Sequence, residues 1–137
     1  MPSIQFAAEY RYKTSNEGIV LPVSLSQGDR IVTAPARLDT GAADCLFHRS
    51  LAEQLGMNVE SGIPRDYRTM AGSFTAYGHE VTLRTFDLEW DALVYFHSAA
   101  GQEINFLGRR GWLDHVRLGL VHYDESIYLS GYEEASS

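Results

Sequence analysis

PARLDTGAADCLF, residues 35–47, sets one carboxylate, Asp39, between largely apolar neighbours and follows it with Thr40 and Gly41. Asp and Gly both mark turns, so the tripeptide alone also fits a surface turn. Its flanks argue for something else. A carboxylate held among apolar residues is costly to ionise and needs hydrogen-bond donors. Gly41 lets backbone approach the acid and offers an N–H with no side chain in the way. Thr40 supplies a hydroxyl that both donates and accepts. An acid, a hydroxyl and a glycine on one tight turn are the parts of a catalytic loop.

Outward from this stretch the chain reads mostly as strands. SIQFAAEYRY (3–12) alternates at Ile4, Phe6, Ala8 and Tyr10, the period of a half-buried strand. GIVLPVSL and RIVTAPARL flank the turn signal SQGD (26–29) and predict a hairpin. Pro22 and Pro35 predict an edge or bulged part in each of its strands. SLAEQLG (50–56) is the best helix, with Ser50 and Glu53 as a capping box and Gly56 at its left-handed end. DYRTMAGSFTAYGHEVTLRTFDLEW (66–90) predicts two strands around a tip at Ala71-Gly72-Ser73, and DALVYFHSA a further strand. INFLG runs into Gly108, GWLDHV is a helical turn or two, and RLGLVHY and SIYLSGY form a hairpin around Asp124-Glu125. The polar end YEEASS is expected to fray. The sum is one all-β domain over residues 1–137 with one or two short helices.

Composition narrows the function classes. The chain is 45% hydrophobic and 21% charged, with a formal net charge of −7. Arg109-Arg110 is the one adjacent basic pair, so no basic stripe exists for a phosphate backbone and no nucleic-acid partner is expected. The opening MPSIQFAAEYRYKTSNEG lacks a basic start followed by an apolar run and does not read as a signal peptide. No run of about 18 apolar residues occurs, so no membrane partner is expected, and a cytoplasmic location is the expectation. Cys45 stands alone in an apolar run and reads as a small core residue.

At this point the residues meet a family. LDTGAADCLF resembles the active-site loop of aspartic proteases in their small single-domain form, the retropepsins. Phe106-Leu107-Gly108 followed by Arg109 resembles the family's second motif. The tip Ala71-Gly72-Ser73 lies between the two, where the family carries its flap hairpin. SLAEQLG resembles the helix of cellular and bacterial members. This ordered set covers residues 18–131. It implies a retropepsin-like acid-protease fold: a closed, barrel-like β domain with a flap and short helices, working as a homodimer.

The resemblance also implies roles. The family's chemistry needs two facing aspartates, one ionised and one protonated, whose titrations are coupled and split. This chain has one DTG, so the second Asp39 would come from a second copy on a two-fold axis. Asp39 is the implied acid/base. Thr40 would bond to the partner loop, and Gly41 would give an N–H to the carboxylates and a carbonyl to substrate. Ala42, Ala43, Asp44, Ala71, Gly72 and Ser73 are the implied substrate-binding positions. Ala42 stands where pepsin-like enzymes carry Ser, which implies a less acidic optimum than pepsin's. Retroviral members have Asp where Ala43 stands, paired with the Arg after the second motif. Here the acid falls one place later, so either Asp44 takes up Arg109 or Arg109 serves another partner. Phe74 and Tyr77, close to the tip, read as flap-base or core aromatics, with covering of substrate as the alternative.

The remaining candidates carry less. His48, His79, His97, His115 and His122 form no HExxH motif, and no metal and no cofactor is expected. Trp90 and Trp112 read as core or interface residues. Arg109-Arg110 reads as one structural and one solvated arginine. SIQFAAEY and SIYLSGY are the candidate dimer strands, each expected to be an edge open to pairing. The expected partners are a second copy and an extended peptide substrate. The alternative from another class is a dimeric module of the same fold that binds peptides without turnover, and the departure at Ala43 keeps it open.

Overall fold

Alternation of apolar and polar residues becomes a set of mostly antiparallel ladders in the computed structural model, which describes residues 1–15, 18–101 and 105–132. In chain order the strands are β1 (Ala8–Arg11), β2 (Thr14–Ser15), β3 (Gly18–Gln27), β4 (Arg30–Leu38), β5 (Leu46–Phe47), β6 (Ile63–Thr69), β7 (Gly72–Thr85), β8 (Leu88–His97), β9 (Phe106–Leu107), β10 (Val116–Val121) and β11 (Ser126–Gly131). Among the described residues the one α-helix, α1 (Arg49–Gln54), lies between β5 and β6. The tail beyond Tyr132, expected to fray, lies outside the described residues.

Eight strands run in the order β2-β3-β4-β9-β5-β8-β7-β6, and β3 also pairs with β7. That extra pairing, Ser24↔Arg84 to Ser26↔Thr82, closes β3, β4, β9, β5, β8 and β7 into a ring. The expected closed, barrel-like β domain is therefore present. Its core is drawn from inward positions: Leu21, Val23 and Leu25 of β3, Val81 and Leu83 of β7, Val94 and Phe96 of β8. Trp112 is fully buried among them, and its indole N–H donates to Thr85 Oγ1 at 2.9 Å, so it is a core residue as expected. Trp90 is half-buried at the rim, donating to the Gly111 carbonyl at 2.8 Å.

The β3–β4 hairpin turns at Gly28-Asp29, with Gly28 at φ +61°. Pro22 and Pro35 face each other across it. Neither has an N–H, so the ladder must use this pair as a position that exchanges no N–H bonds. On its other side Pro22 falls between the residues paired with β2 and those paired with β7, where no neighbour asks for a donor.

Three local readings are corrected. The helix begins at Arg49, and its cap is His48, whose Nδ1 accepts from the Ser50 N–H at 3.0 Å. The Ser50–Glu53 box thus starts two residues past the cap, inside the first turn, because an imidazole took the capping place. Gly56 does adopt the left-handed conformation, at φ +78°. The flap turns at Met70-Ala71, with Thr69 opposite Gly72, so Gly72 and Ser73 open β7 rather than form the tip. Residues 66–90 hold a second turn at Phe86-Asp87, and LEW belongs to β8.

The chain ends form a separate three-stranded sheet in the order β1-β11-β10. Strand character starts only at Ala8, and Ile4 is exposed. SIYLSGY is not an edge: β11 is flanked by β1 on one side and β10 on the other. The free edges of this sheet are the outer sides of β1 and β10, the latter followed by exposed Tyr123 and carrying exposed Leu120 and Val121.

Candidate active site

Asp39 leaves the end of β4, which runs parallel to β9 with Leu38 opposite Leu107. The Asp39 N–H donates to the Leu107 carbonyl at 3.0 Å, so the two motifs singled out in the sequence meet at one strand end. The chain then turns sharply: Ala42 N–H donates back to the Asp39 carbonyl at 3.1 Å, and Gly41 N–H to the Asp39 carboxylate Oδ1 at 3.0 Å. The carboxylate is half-buried, while Thr40 and Gly41 are exposed at the tip of the turn. Gly41 thus gives the acid the backbone donor that its lack of a side chain allows.

The segment after the turn crosses the segment after β9. Arg109 N–H donates to Ala42 O and Arg110 N–H to Ala43 O, both at 2.9 Å. Gly108 sits at the crossing, where a Cβ would overlap the Asp44 carbonyl group and stand 2.9 Å from Ala42 O. Beneath the crossing, Cys45 is fully buried, and burial pushes its thiol up to about 12. It is a core residue, as its surroundings in sequence suggest.

Asp44 takes Arg110, not Arg109. Its side chain is 5% exposed, and Oδ1 lies 3.0 Å from Arg110 Nε. Oδ2 accepts from Tyr67 Oη at 2.7 Å and lies 3.4 Å from Arg65 Nε. Acid and arginine are therefore both displaced by one place from the pattern that the resemblance implied, and the pairing survives. Arg109 makes only a long contact, 3.4 Å from Nε to Ala42 O, and is the solvated member of the pair. Burial, and then the hydrogen bond to Asp44, raise the Tyr67 pKa. The Arg65 pKa is raised too, first by a hydrogen bond with Tyr95 and then by the Asp44 charge.

A cleft of about 330 Å³ opens beside Asp39. Ala42, Ala43 and Asp44 line it from the loop, Leu46 and Phe106 from β5 and β9, and His97 from the end of β8. The β6–β7 hairpin covers it with Tyr67, Thr69 and Phe74. Ala71, Gly72 and Ser73 are exposed at the far end of that hairpin and do not reach the cleft wall in this conformation. Tyr77 packs against the core, as expected of it, whereas Phe74 faces the cleft. Phe74 stacks on Tyr67 on one side, with centroids 5.2 Å apart, and on His97 on the other at 4.4 Å.

Tyr67, Thr69, Leu46 and His97 escaped the sequence reading. Tyr67 and Thr69 were findable: Tyr67 pairs with Phe74, and a two-residue turn at Met70-Ala71 puts them opposite each other. No local signal marks His97, which reaches the cleft only because β8 pairs with β7 and β5. Among the described residues no group of three or more His, Cys, Asp or Glu side chains is arranged to hold a metal ion. No described helix is long and apolar enough to cross a membrane.

A search of curated protein sequences returned no match. Among solved structures, a retropepsin-like aspartic protease from Rickettsia conorii superposes with a TM-score of 0.62 at 17% identity, over 90% of this chain and 99% of the other. That likeness is one of fold. A family model described as aspartyl protease matches residues 21–90, from the first core strand through the DTG loop and flap to β8. The match spans half of the sequence and contains the turn that holds Asp39, and the chain therefore belongs to the aspartyl protease family and has the retropepsin-like fold.

Proposed function

We propose that the chain is an aspartic endopeptidase that works as a homodimer, with Asp39 of each copy forming the catalytic dyad. The observation that carries this reading is the Asp39 carboxylate itself, held 3.0 Å from the Gly41 N–H at the mouth of a cleft roofed by the β6–β7 hairpin. One ionised Asp39 takes a proton from water as the water attacks the peptide carbonyl carbon. The other, protonated, donates to the carbonyl oxygen. Two carboxylates this close share one charge, so the pair titrates in two coupled steps. Exposed Thr40 bonds to the partner's loop and stiffens the pair. The substrate lies extended between loop and hairpin, as a strand added to the sheet, with backbone groups of Gly41 available to it.

A single DTG per chain supports the dimer, as does the terminal sheet, whose β10 edge is unpaired among the described residues and carries exposed Leu120 and Val121. The test is cleavage of a diverse peptide mixture, read by mass spectrometry from about pH 3 to 7, with sedimentation to report assembly. Fragments that appear with the natural chain and vanish with Asp39→Asn establish the peptidase. A dimer that yields none at any pH transfers the reading to a peptide-binding module, and a monomer at working concentrations removes the dyad.

A further inference from the structure

Besides Asp39, the cleft is lined by a side-chain donor, on His97, that has no hydrogen-bond partner among the described residues. Its walls are largely apolar, formed by Leu46, Phe74 and Phe106. Asp44 and Tyr67 also face it, but they are bonded to each other, and Asp44 holds Arg65 and Arg110 as well. His97 is different. The residue is 5% exposed, and Phe74 covers one face of its ring at 4.4 Å and 17°. Its Nδ1 accepts the Ala99 N–H at 3.0 Å, turned away into the following loop. An Nδ1 that accepts leaves the ring proton on Nε2. That N–H has no hydrogen-bond partner among the described residues. Burial lowers the His97 pKa, with nearby His48 acting in the same direction, and the ring stays neutral near pH 7. The nitrogen is not sealed from solvent, so the donor is open to a ligand that brings an acceptor into the cleft.

We propose that His97 is a specificity-determining residue whose Nε2–H donates to the side-chain carbonyl of a glutamine or asparagine seated in this cleft, next to the scissile bond. The proposal rests on the peptidase reading above for the words "scissile bond", but the subsite itself does not depend on turnover. The chemistry selects the carboxamide over its rivals. An acidic side chain would enter beside Asp39 and Asp44, both of which line the cleft. A lysine or arginine brings only donors and would meet a donor. An aliphatic side chain fills the apolar walls but leaves the imidazole N–H unpaired, and sites built to hydrogen-bond a substrate discriminate against analogues that lack the group. The methylenes of glutamine pack against Leu46 and Phe106 while its carbonyl reaches the ring.

The test uses a positional peptide library with Gln, Asn, Met and Leu exchanged at each site. Cleavage is read with the natural chain and capture with the full-length Asp39→Asn chain, which binds without hydrolysis under the reading above. At one position Gln or Asn is expected to exceed Met and Leu by about tenfold, the worth of one hydrogen bond. His97→Phe, which keeps the ring stack but loses the N–H, is expected to reduce that ratio to about one or invert it, with apolar residues accepted as before. Independently of any variant, nitrogen-15 NMR of the natural chain should show the His97 proton on Nε2, and the Nε2 resonance should move on adding a captured Gln peptide. Capture with the Gln preference but no cleavage would sink the peptidase reading and leave the subsite standing. Cleavage without that preference, a preference unchanged in His97→Phe, an Nδ1-protonated ring, or neither capture nor cleavage of any peptide overturns the proposal.

Discussion

Tyr67, on the flap strand β6, donates its phenolic proton to Asp44 Oδ2 at 2.7 Å and so ties the flap to the segment that follows the DTG turn. The same carboxylate holds Arg65 of the flap and Arg110 beyond Gly108. One buried acid thus joins three segments that are distant in sequence. Tyr67→Phe leaves Asp44 short of a donor while keeping the ring stack on Phe74. Stability should fall by about 1–2 kcal/mol in urea denaturation. Amide exchange over residues 63–69 should speed up more than exchange in β3. Unchanged exchange in the flap would mean that the hydrogen bond does not restrain it.

The two adjacent arginines should behave unequally. Arg110→Ala removes the nearest cation from a 5% exposed carboxylate and should cost about 2 kcal/mol, moderated by the Arg65 and Tyr67 contacts that remain. Arg109→Ala removes one long contact and should stay within about 0.5 kcal/mol. Paired melting curves decide it, and equal losses would show that the carboxylate does not discriminate between them.

Gly108 has no room for a side chain, since a Cβ would run into the Asp44 carbonyl group, which the crossing segments hold in place. Gly108→Ala should cost about 3 kcal/mol or more, or prevent folding outright, as read by circular dichroism and yield. A stable, native-like variant would show that the crossing opens more readily than its bonds suggest.

These residues mark how far the sequence can be read. The DTG turn, the Phe106-Leu107-Gly108 motif and the hairpin around Gly28 rest on local patterns, and local patterns survive folding. The partners of Asp44 do not. Which arginine it takes depends on how two segments 66 positions apart slide past each other, and the parallel bridge Asp44↔Arg110 sets that register. His48 as a cap was hidden because Ser50 is the better capping residue by propensity, and tertiary contact reversed the preference: His48 also donates Nε2–H to Ala100 O at 2.9 Å. The flap tip was misplaced because three small residues read as a turn, whereas Thr69 Oγ1 accepts from the Ala71 N–H at 3.2 Å and fixes the turn one residue earlier. The inner position of β11 could not be seen at all, since it depends on both ends of the chain arriving together.

Acid should act on stability in two separable windows. Burial holds His97 below the ordinary histidine value near 6.5. Between that lowered value and 6.5 the unfolded chain binds more protons than the folded one, so stability rises with pH there. The contribution is complete above about pH 6.5 and is lost as pH falls toward the folded value. Glu60, lowered by its hydrogen bond with Arg49, and Glu125, lowered by the Thr14 N–H, act later, as pH falls below about 4.5. Urea midpoints at pH 7.5, 6 and 5 should decline for the natural chain and decline less for His97→Phe. Parallel declines would assign the upper window to another group.

The proposed dyad should respond to the residue at position 42. Ala42 lines the cleft beside Asp39, and its N–H is spent on the Asp39 carbonyl rather than the carboxylate. Among the described residues, the donor to the carboxylate is the Gly41 N–H. A hydroxyl at position 42 would add a second donor on the cleft side and favour the ionised form of the proposed dyad. One hydrogen bond to a charged group is worth about 1.5–3 kcal/mol, so Ala42→Ser should move the acid limb of the pH–rate profile down by on the order of 1 pH unit. The natural chain should accordingly peak above about pH 3, with the acid limb set by the dyad and not by unfolding. A profile that peaks below pH 3 before any substitution would mean that Asp39 draws its donors from the partner subunit, and Ala42→Ser would then leave the profile where it is.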